Sequence, residues 1–201
     1  VYASAARRGG QPPDYYADNI SYLLEEVASR NLDLLTSGEF ALIEAWRAAG
    51  TEARRMFARL LTRKGPWFRV DRLDYPEIVD PTVAIRELCV LGLVEIDPPV
   101  PADQLLGLFT RPELQTLFPE IHAVSKPAWV SACVGRHPDG AVRARLATRY
   151  SWLALPEGEP FATCGRLYFG SDHQDLTDFV LQDLGVLRFE GYEVGAHTRP
   201  F

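Results

Sequence analysis

The sequence is nearly devoid of lysine: Lys64 and Lys126 stand alone, and the other 19 of its 21 basic residues are arginine. That scarcity excludes one class of chemistry. Restriction-type, metal-dependent nucleases hold their cation with an acid followed by Glu-x-Lys, and the lysine helps position the attacking water. The residues two before the lysines are Thr62 and Val124, so the chain contains no Glu-x-Lys. It also lacks a glycine-rich phosphate loop and any apolar run near the roughly 18 to 20 residues of a bilayer span. Val1 to Gly10, which includes Arg7 and Arg8, has no signal-peptide apolar centre. Three widely spaced cysteines, Cys89, Cys133 and Cys164, argue against a disulfide framework and for reduced, buried thiols. A soluble cytoplasmic protein is expected.

What is present is ample apolar material. Of 201 residues, 47% are apolar and 24% charged, which excludes disorder and collagen-like repeats and suits one domain or two small ones. Ile20, Leu23, Leu24 and Val27 mark one helical face from about Asp14 to Arg30. Thr36 and Glu39 have capping-box spacing before a second helix that Gly50 stops. Thr51 is expected to cap a third helix, Glu52 to Lys64, ended by Gly65-Pro66. Trp67 to Val70 suits a strand. Asp80-Pro81 opens a fourth helix to Gly92, and Leu93 to Ile96 forms a candidate returning strand. Helix, strand, helix and strand in this order suggest a winged-helix-like unit.

Asp97 to Pro101 carries three prolines in four positions and reads as a stiff linker. Two short helices follow, Asp103 to Phe109 and Pro112 to Phe118, then one beginning at Lys126-Pro127 after Ser125, with Trp129 and Val130 inward. Arg136 to Gly140 reads as a break. Residues 141–155 read as helical, with further helices at Phe161 to Phe169 and Asp175 to Asp183 and a strand at Val186 to Phe189.

Net charge is −6, but it is segregated. Asp14 to Glu44 carries seven acids and one base, whereas Thr51 to Arg72 carries seven bases and two acids. Arg136 to Arg149 sets four arginines against one acid. An acidic total therefore leaves room for a polyanionic partner, because the local field decides binding. At helical pitch Arg55, Arg59 and Arg63 form one stripe, spaced by about 6 Å like phosphates along a strand. Neutralisation of that stripe by neighbouring acids is the alternative. Trp67, among bases, could stack on an unpaired base or serve the core. Cys133 and His137 lack a second metal-ligand pair, Cys164 lacks an orienting base, and Asp172, Asp175, Asp178 and Asp183 lack calcium-loop spacing.

Several blocks together resemble the N-terminal DNA-binding region of the Fanconi-associated nuclease family. They are Tyr15-Tyr16 with Asn19, the run Ala53 to Ile78 with Arg63-Lys64-Gly65-Pro66-Trp67-Phe68-Arg69 and Leu73-Asp74-Tyr75-Pro76, Leu88 to Val94, Leu105 to Phe109 leading into Pro112-Glu113-Leu114, and Phe179 to Gly185. The resemblance implies a mainly α fold with short β, comprising a helical domain with a winged-helix-like unit and an SAP-like module. The expected organisation is a flexible 1–13, a DNA-binding unit at 14–97, the SAP-like module at 98–140, and a helical 141–201 leading toward a linker and a virus-type nuclease domain outside this chain. Beginning at Val1 and ending at Phe201, the chain is expected to be a fragment. The resemblance further implies a nuclease that cuts branched or 5′-flap DNA, acts in interstrand crosslink repair, and uses a divalent metal, Mg or Mn, in its nuclease domain. It implies residence at the nucleoid or in the nucleus.

No catalytic residue, metal site or cofactor is assigned to this chain. The candidate DNA-binding residues are Arg55, Arg59, Arg63, Lys64, Arg69, Arg72, Lys126, Arg136, Arg143 and Arg145, with Trp67 for base stacking. Lys126 comes from the SAP comparison, although Pro127 and a missing glycine before it depart from that pattern. The rival expectation is a protein-interaction module that binds no nucleic acid.

Overall fold

The computed structural model describes residues 12–156 and 160–170. Helix α1 spans Tyr15–Arg30 and buries Ile20, Leu23, Leu24 and Val27 on the face the spacing predicts. Helix α2, Ser37–Ala48, opens with the Thr36–Glu39 capping box. Helix α3 spans Thr51–Leu61, so Thr51 is its first residue, Gly50 is the N-cap, and the helix ends a turn before Lys64. Asp80 caps α4, Pro81–Val90, by accepting from the Thr82 and Val83 amides. These four helices close the first core around Trp46, Met56, Phe57 and Leu60.

Strand β1, Trp67–Arg69, and β2, Glu95–Ile96, do not pair with each other. A third strand, β3 at Trp152–Ala154, lies between them, antiparallel to both, in the order β1-β3-β2. This corrects the helical reading of 141–155. A fully buried three-residue strand has no apolar alternation to separate it from a helix, and a partner some 80 residues away leaves no local trace.

Phe68 pairs with Leu153, and both side chains enter the first core. Their neighbours alternate to the opposite face, where Trp152 belongs to a second core and Trp67 packs against it. The small sheet is thus a wall with a core on each side. The second core runs from Val100 to Trp152, through α5 at Ala102–Gly107, α6 at Arg111–Leu117, α7 at Lys126–Arg136 and α8 at Asp139–Ala147. It therefore extends past residue 140. Its large members Phe109, Phe118 and Trp129 are fully buried, each worth about 2–3 kcal/mol of transfer free energy. The Trp129 indole N–H is satisfied by the Ile121 carbonyl at 3.1 Å.

Helix α9, Pro160–Phe169, returns to the first core through Cys164 and packs on α1 and α2. The helix expected at Asp175 to Asp183 and the strand at Val186 to Phe189 lie outside the described residues.

Candidate nucleic-acid interface

The arginine stripe on α3 does not act as a unit. Arg55 donates to both carboxylate oxygens of Asp14, to Glu52 Oε1 at 2.7 Å and to the Glu77 carbonyl at 2.9 Å. Those bonds hold the Asp14 carboxyl below its usual range and push the guanidinium above its own. Arg59 pairs with Glu77 at 2.5 Å and lies over the rings of Tyr16 and Tyr75. Both guanidinium groups bind α3 to the start of α1 and to the loop before α4. The alternative of internal neutralisation therefore holds for these two, with Asp14, Glu52 and Glu77 supplying the acids. One turn on, Arg63 reaches only neutral oxygens, the Tyr75 hydroxyl at 2.9 Å and the Arg72 carbonyl at 3.5 Å. Neither Arg63 nor the exposed Lys64 has a carboxylate partner among the described residues.

Arg69 has a different environment, because β1 alternation turns it away from the first core and into the second. Only 4% of it is exposed. Its guanidinium lies 4.3 Å from the Phe109 ring centre and 4.6 Å from that of Tyr150, and donates to Asp71 and to Glu113 on α6. Glu113 also takes Arg72 Nη2 at 2.9 Å and closes the α6 capping box with Thr110. Burial pushes the Glu113 carboxyl up, but bonds from the Thr110 amide and hydroxyl and from Arg69 and Arg72 outweigh it and hold it at about 2. Arg72, with 57% of its side chain exposed, remains open to solvent beside this cluster.

The remaining cations divide between the two ends of α7, about 16 Å apart. At its start, Lys126 Nζ donates to the Gly107 carbonyl at 2.7 Å. Arg111, which sequence reasoning did not single out, donates to the Ala123 and Val124 carbonyls and fixes the loop before Lys126. At its far end Arg136 reaches the Glu120 carbonyl and Arg145 the Glu120 carboxylate. Arg145 also lies over Phe118, while Arg143 donates to the Val100 carbonyl.

Trp67 is half-buried against the second core, with its indole N–H donated to Gln104 Oε1 at 2.8 Å. Among the described residues no three His, Cys, Asp or Glu side chains form a group able to hold a metal ion. An apolar groove of about 650 Å³ between α2, α3 and α9 is lined by Leu42, Phe57, Leu61, Leu93 and Phe161 and contains no cation for a phosphate. No helix among the described residues is long and apolar enough to cross a membrane.

Residues 14–95 match the sequence model described as "FAN1, HTH domain". A Fanconi-associated nuclease 1 homolog from Pseudomonas aeruginosa is 34% identical over 197 residues, covering 94% of this chain and 35% of that protein. The chain is similar to the N-terminal region of Fanconi-associated nucleases. An Arabidopsis thaliana member is 30% identical over 196 residues, covering 89% of this chain and 22% of that protein. The crystal structure of paFAN1 bound to 2-nt 5′-flap DNA with a gap superposes with a TM-score of 0.82 at 30% identity. That match covers 96% of this chain and 36% of the other. The chain therefore spans about a third or less of the family members it matches, and the mainly helical fold with its small sheet is theirs. The motif run Ala53 to Ile78 that carried the resemblance contains both β1 and the Arg63, Arg69 and Arg72 cluster.

Proposed function

We propose that this chain is the DNA-gripping region of a structure-specific nuclease acting on 5′ flaps, while a separate domain of the same protein cuts. One observation carries the reading. Arg63, Lys64 and Lys126 have no carboxylate partner among the described residues, and a path of contacts links them through the exposed Arg72, which itself pairs with Glu113 and Asp71. Arg63 touches Arg72, Arg72 bonds Glu113 in the first turn of α6, and Lys126 bonds Gly107, the last residue of α5, three residues before the Thr110 cap of α6. Arg63, Lys64, Arg72 and Lys126 are the phosphate-binding set, and Arg136 at the end of α7 and Arg143 on α8 extend it. Arg55, Arg59, Arg69 and Arg145 act from behind as ties.

Contacts of this kind position a duplex without reading its sequence. Any divalent metal, Mg or Mn, would act in the nuclease domain, and no step of chemistry falls to residues of this chain. The relatives' nuclease activity and the flap DNA bound by paFAN1 support DNA as partner. Interstrand crosslink repair at the nucleoid or in the nucleus is the setting this reading implies.

The test is affinity for gapped-flap, nicked and plain duplex DNA over a salt series. Three to four phosphate contacts give a log–log slope of about −3 to −4. Weak, salt-independent binding to all three would reject the reading. It would favour the protein-interaction alternative, to which the exposed Val79, Val83 and Val90 on and before α4 lend an apolar face.

A further inference from the structure

Residues 98–150 leave and rejoin the first unit through one narrow stem. There the Asp97 amide donates to the Trp152 carbonyl at 2.9 Å, and the Trp152 amide and Ser151 hydroxyl donate to the Asp97 carboxylate at 2.9 and 3.1 Å. Asp97 adopts φ 51°, a left-handed conformation that turns the chain out of β2 toward the prolines. Two adjacent strands resist being pulled apart, while resistance to rocking about the stem comes from lateral ties: Trp67 on β1 bonds Gln104 of α5, and Arg69 reaches from β1 into the second core with the charged contacts that fix the angle.

The arrangement around Arg69 is specific to one inter-core angle. Its guanidinium is enclosed by Phe109 and Tyr150 of the second unit, and its donors divide between Asp71 of the first and Glu113 of the second. A buried ion pair adds little net stability over apolar packing, but any displaced arrangement leaves a desolvated charge unpaired. Such a pair therefore selects a geometry more than it strengthens a fold. Arg72 meets the same Glu113, so the clamp lies at the edge of the cationic seam itself.

We propose that Arg69 and Glu113 are positioning residues that lock the angle between the two cores and thereby set preference for gapped-flap over plain duplex DNA. This rests on the DNA-gripping reading. A gapped flap bends at the junction and must meet Arg63 and Lys64 on one unit and Lys126 on the other at a fixed spacing. A plain duplex engages either unit alone.

The test uses the full chain and Glu113→Gln, which keeps an oxygen to cap α6 but removes the charge facing Arg69. A second variant, Arg69→Met with Glu113→Gln, removes both charges and keeps the space between Phe109 and Tyr150 filled, so folding is retained even where the single change fails. Two readouts are taken: the ratio of affinities for a gapped 2-nt flap and a plain duplex of equal length, and amide hydrogen exchange. The expected result is a ratio lowered about tenfold with plain-duplex affinity within about twofold. Faster exchange at the Asp97–Trp152 stem and in α5 and α6, with α1 to α3 unchanged, should accompany it. An unchanged ratio, or equal loss on both DNAs, overturns the proposal. If the unmodified chain binds neither DNA, the DNA-gripping reading fails, and unchanged exchange in the variants would then sink the clamp separately.

Discussion

Replacing Arg63 and Lys64 together with alanine separates a DNA-facing charge from a structural one. Neither side chain holds a carboxylate among the described residues, so folding loses only the bonds from Arg63 to Tyr75 and to the Arg72 carbonyl and its approach to the Phe68 ring. Exposed contacts of that sort are worth about 0–1 kcal/mol, so the melting temperature should hold within about 3 °C. Binding should respond differently. Each phosphate contact scales affinity as salt to the power of about −0.9, so at 0.1 M two contacts contribute about 60-fold, and the slope should fall by about 1.8. Arg55→Ala is the converse. It breaks pairs with Asp14 and Glu52 and the bond to the Glu77 carbonyl. Because both acids can rehydrate, the cost is about 2 kcal/mol, or roughly 4–8 °C for a chain of this size, with DNA affinity nearly unchanged. Fluorescence anisotropy on flap DNA across salt, paired with calorimetry, measures both. Loss of affinity in Arg55→Ala at an unshifted melting temperature, or an unaltered slope in the double variant, would refute the division of the α3 stripe.

Other outcomes can be checked with simpler measurements. Glu113 titrates near 2 in the folded chain against an ordinary 4.5, so its contribution is complete above about pH 5 and fades as pH falls from 4.5 toward 2. Allowing for solvent screening it amounts to about 1–3 kcal/mol, and Glu113→Gln should flatten melting curves recorded between pH 6 and 3; parallel curves would contradict this. Gly65→Ala should destabilise by about 1–3 kcal/mol, because a Cβ there would stand 2.8 Å from Cζ of the buried Phe68 ring; urea unfolding reports it. Burial pushes the Cys133 and Cys164 thiols up to about 11 and about 12, so a disulfide reagent at pH 8 should label half-buried Cys89 in the native chain and these two only after unfolding.

How much could be read without coordinates differs between elements. Capping chemistry is local, and Thr36 with Glu39, Asp80 with Pro81 and Ser125 before Lys126 each mark a helix start that the structure keeps. Apolar periodicity likewise set the inner face of α1. The wing was half legible: β1 follows from Trp67 to Arg69, while its partner depended on a pairing across the whole second core. The candidate site was legible as composition only. Ten cations and one tryptophan were singled out, and nothing in their spacing distinguishes Arg63, which meets only neutral oxygens, from Arg59 one turn earlier, which holds Glu77. Arg111 was missed because a guanidinium that satisfies backbone carbonyls has no sequence pattern.

The sequence by itself determined that this chain is helical, that its cations are segregated from its acids, that it lacks a Glu-x-Lys site, and which nuclease family it resembles. The first three follow from interactions within a few residues or from composition, and the resemblance rests on motif blocks such as Ala53 to Ile78. Tertiary structure alone decided which arginines are spent on carboxylates of the same chain, because ion pairs form between segments such as Asp14 and Arg55 or Arg69 and Glu113, some 40 residues apart. It also decided that a three-residue strand at Trp152–Ala154 would divide the molecule into two cores, since a strand that short is stabilised only by partners on both edges and packing on both faces.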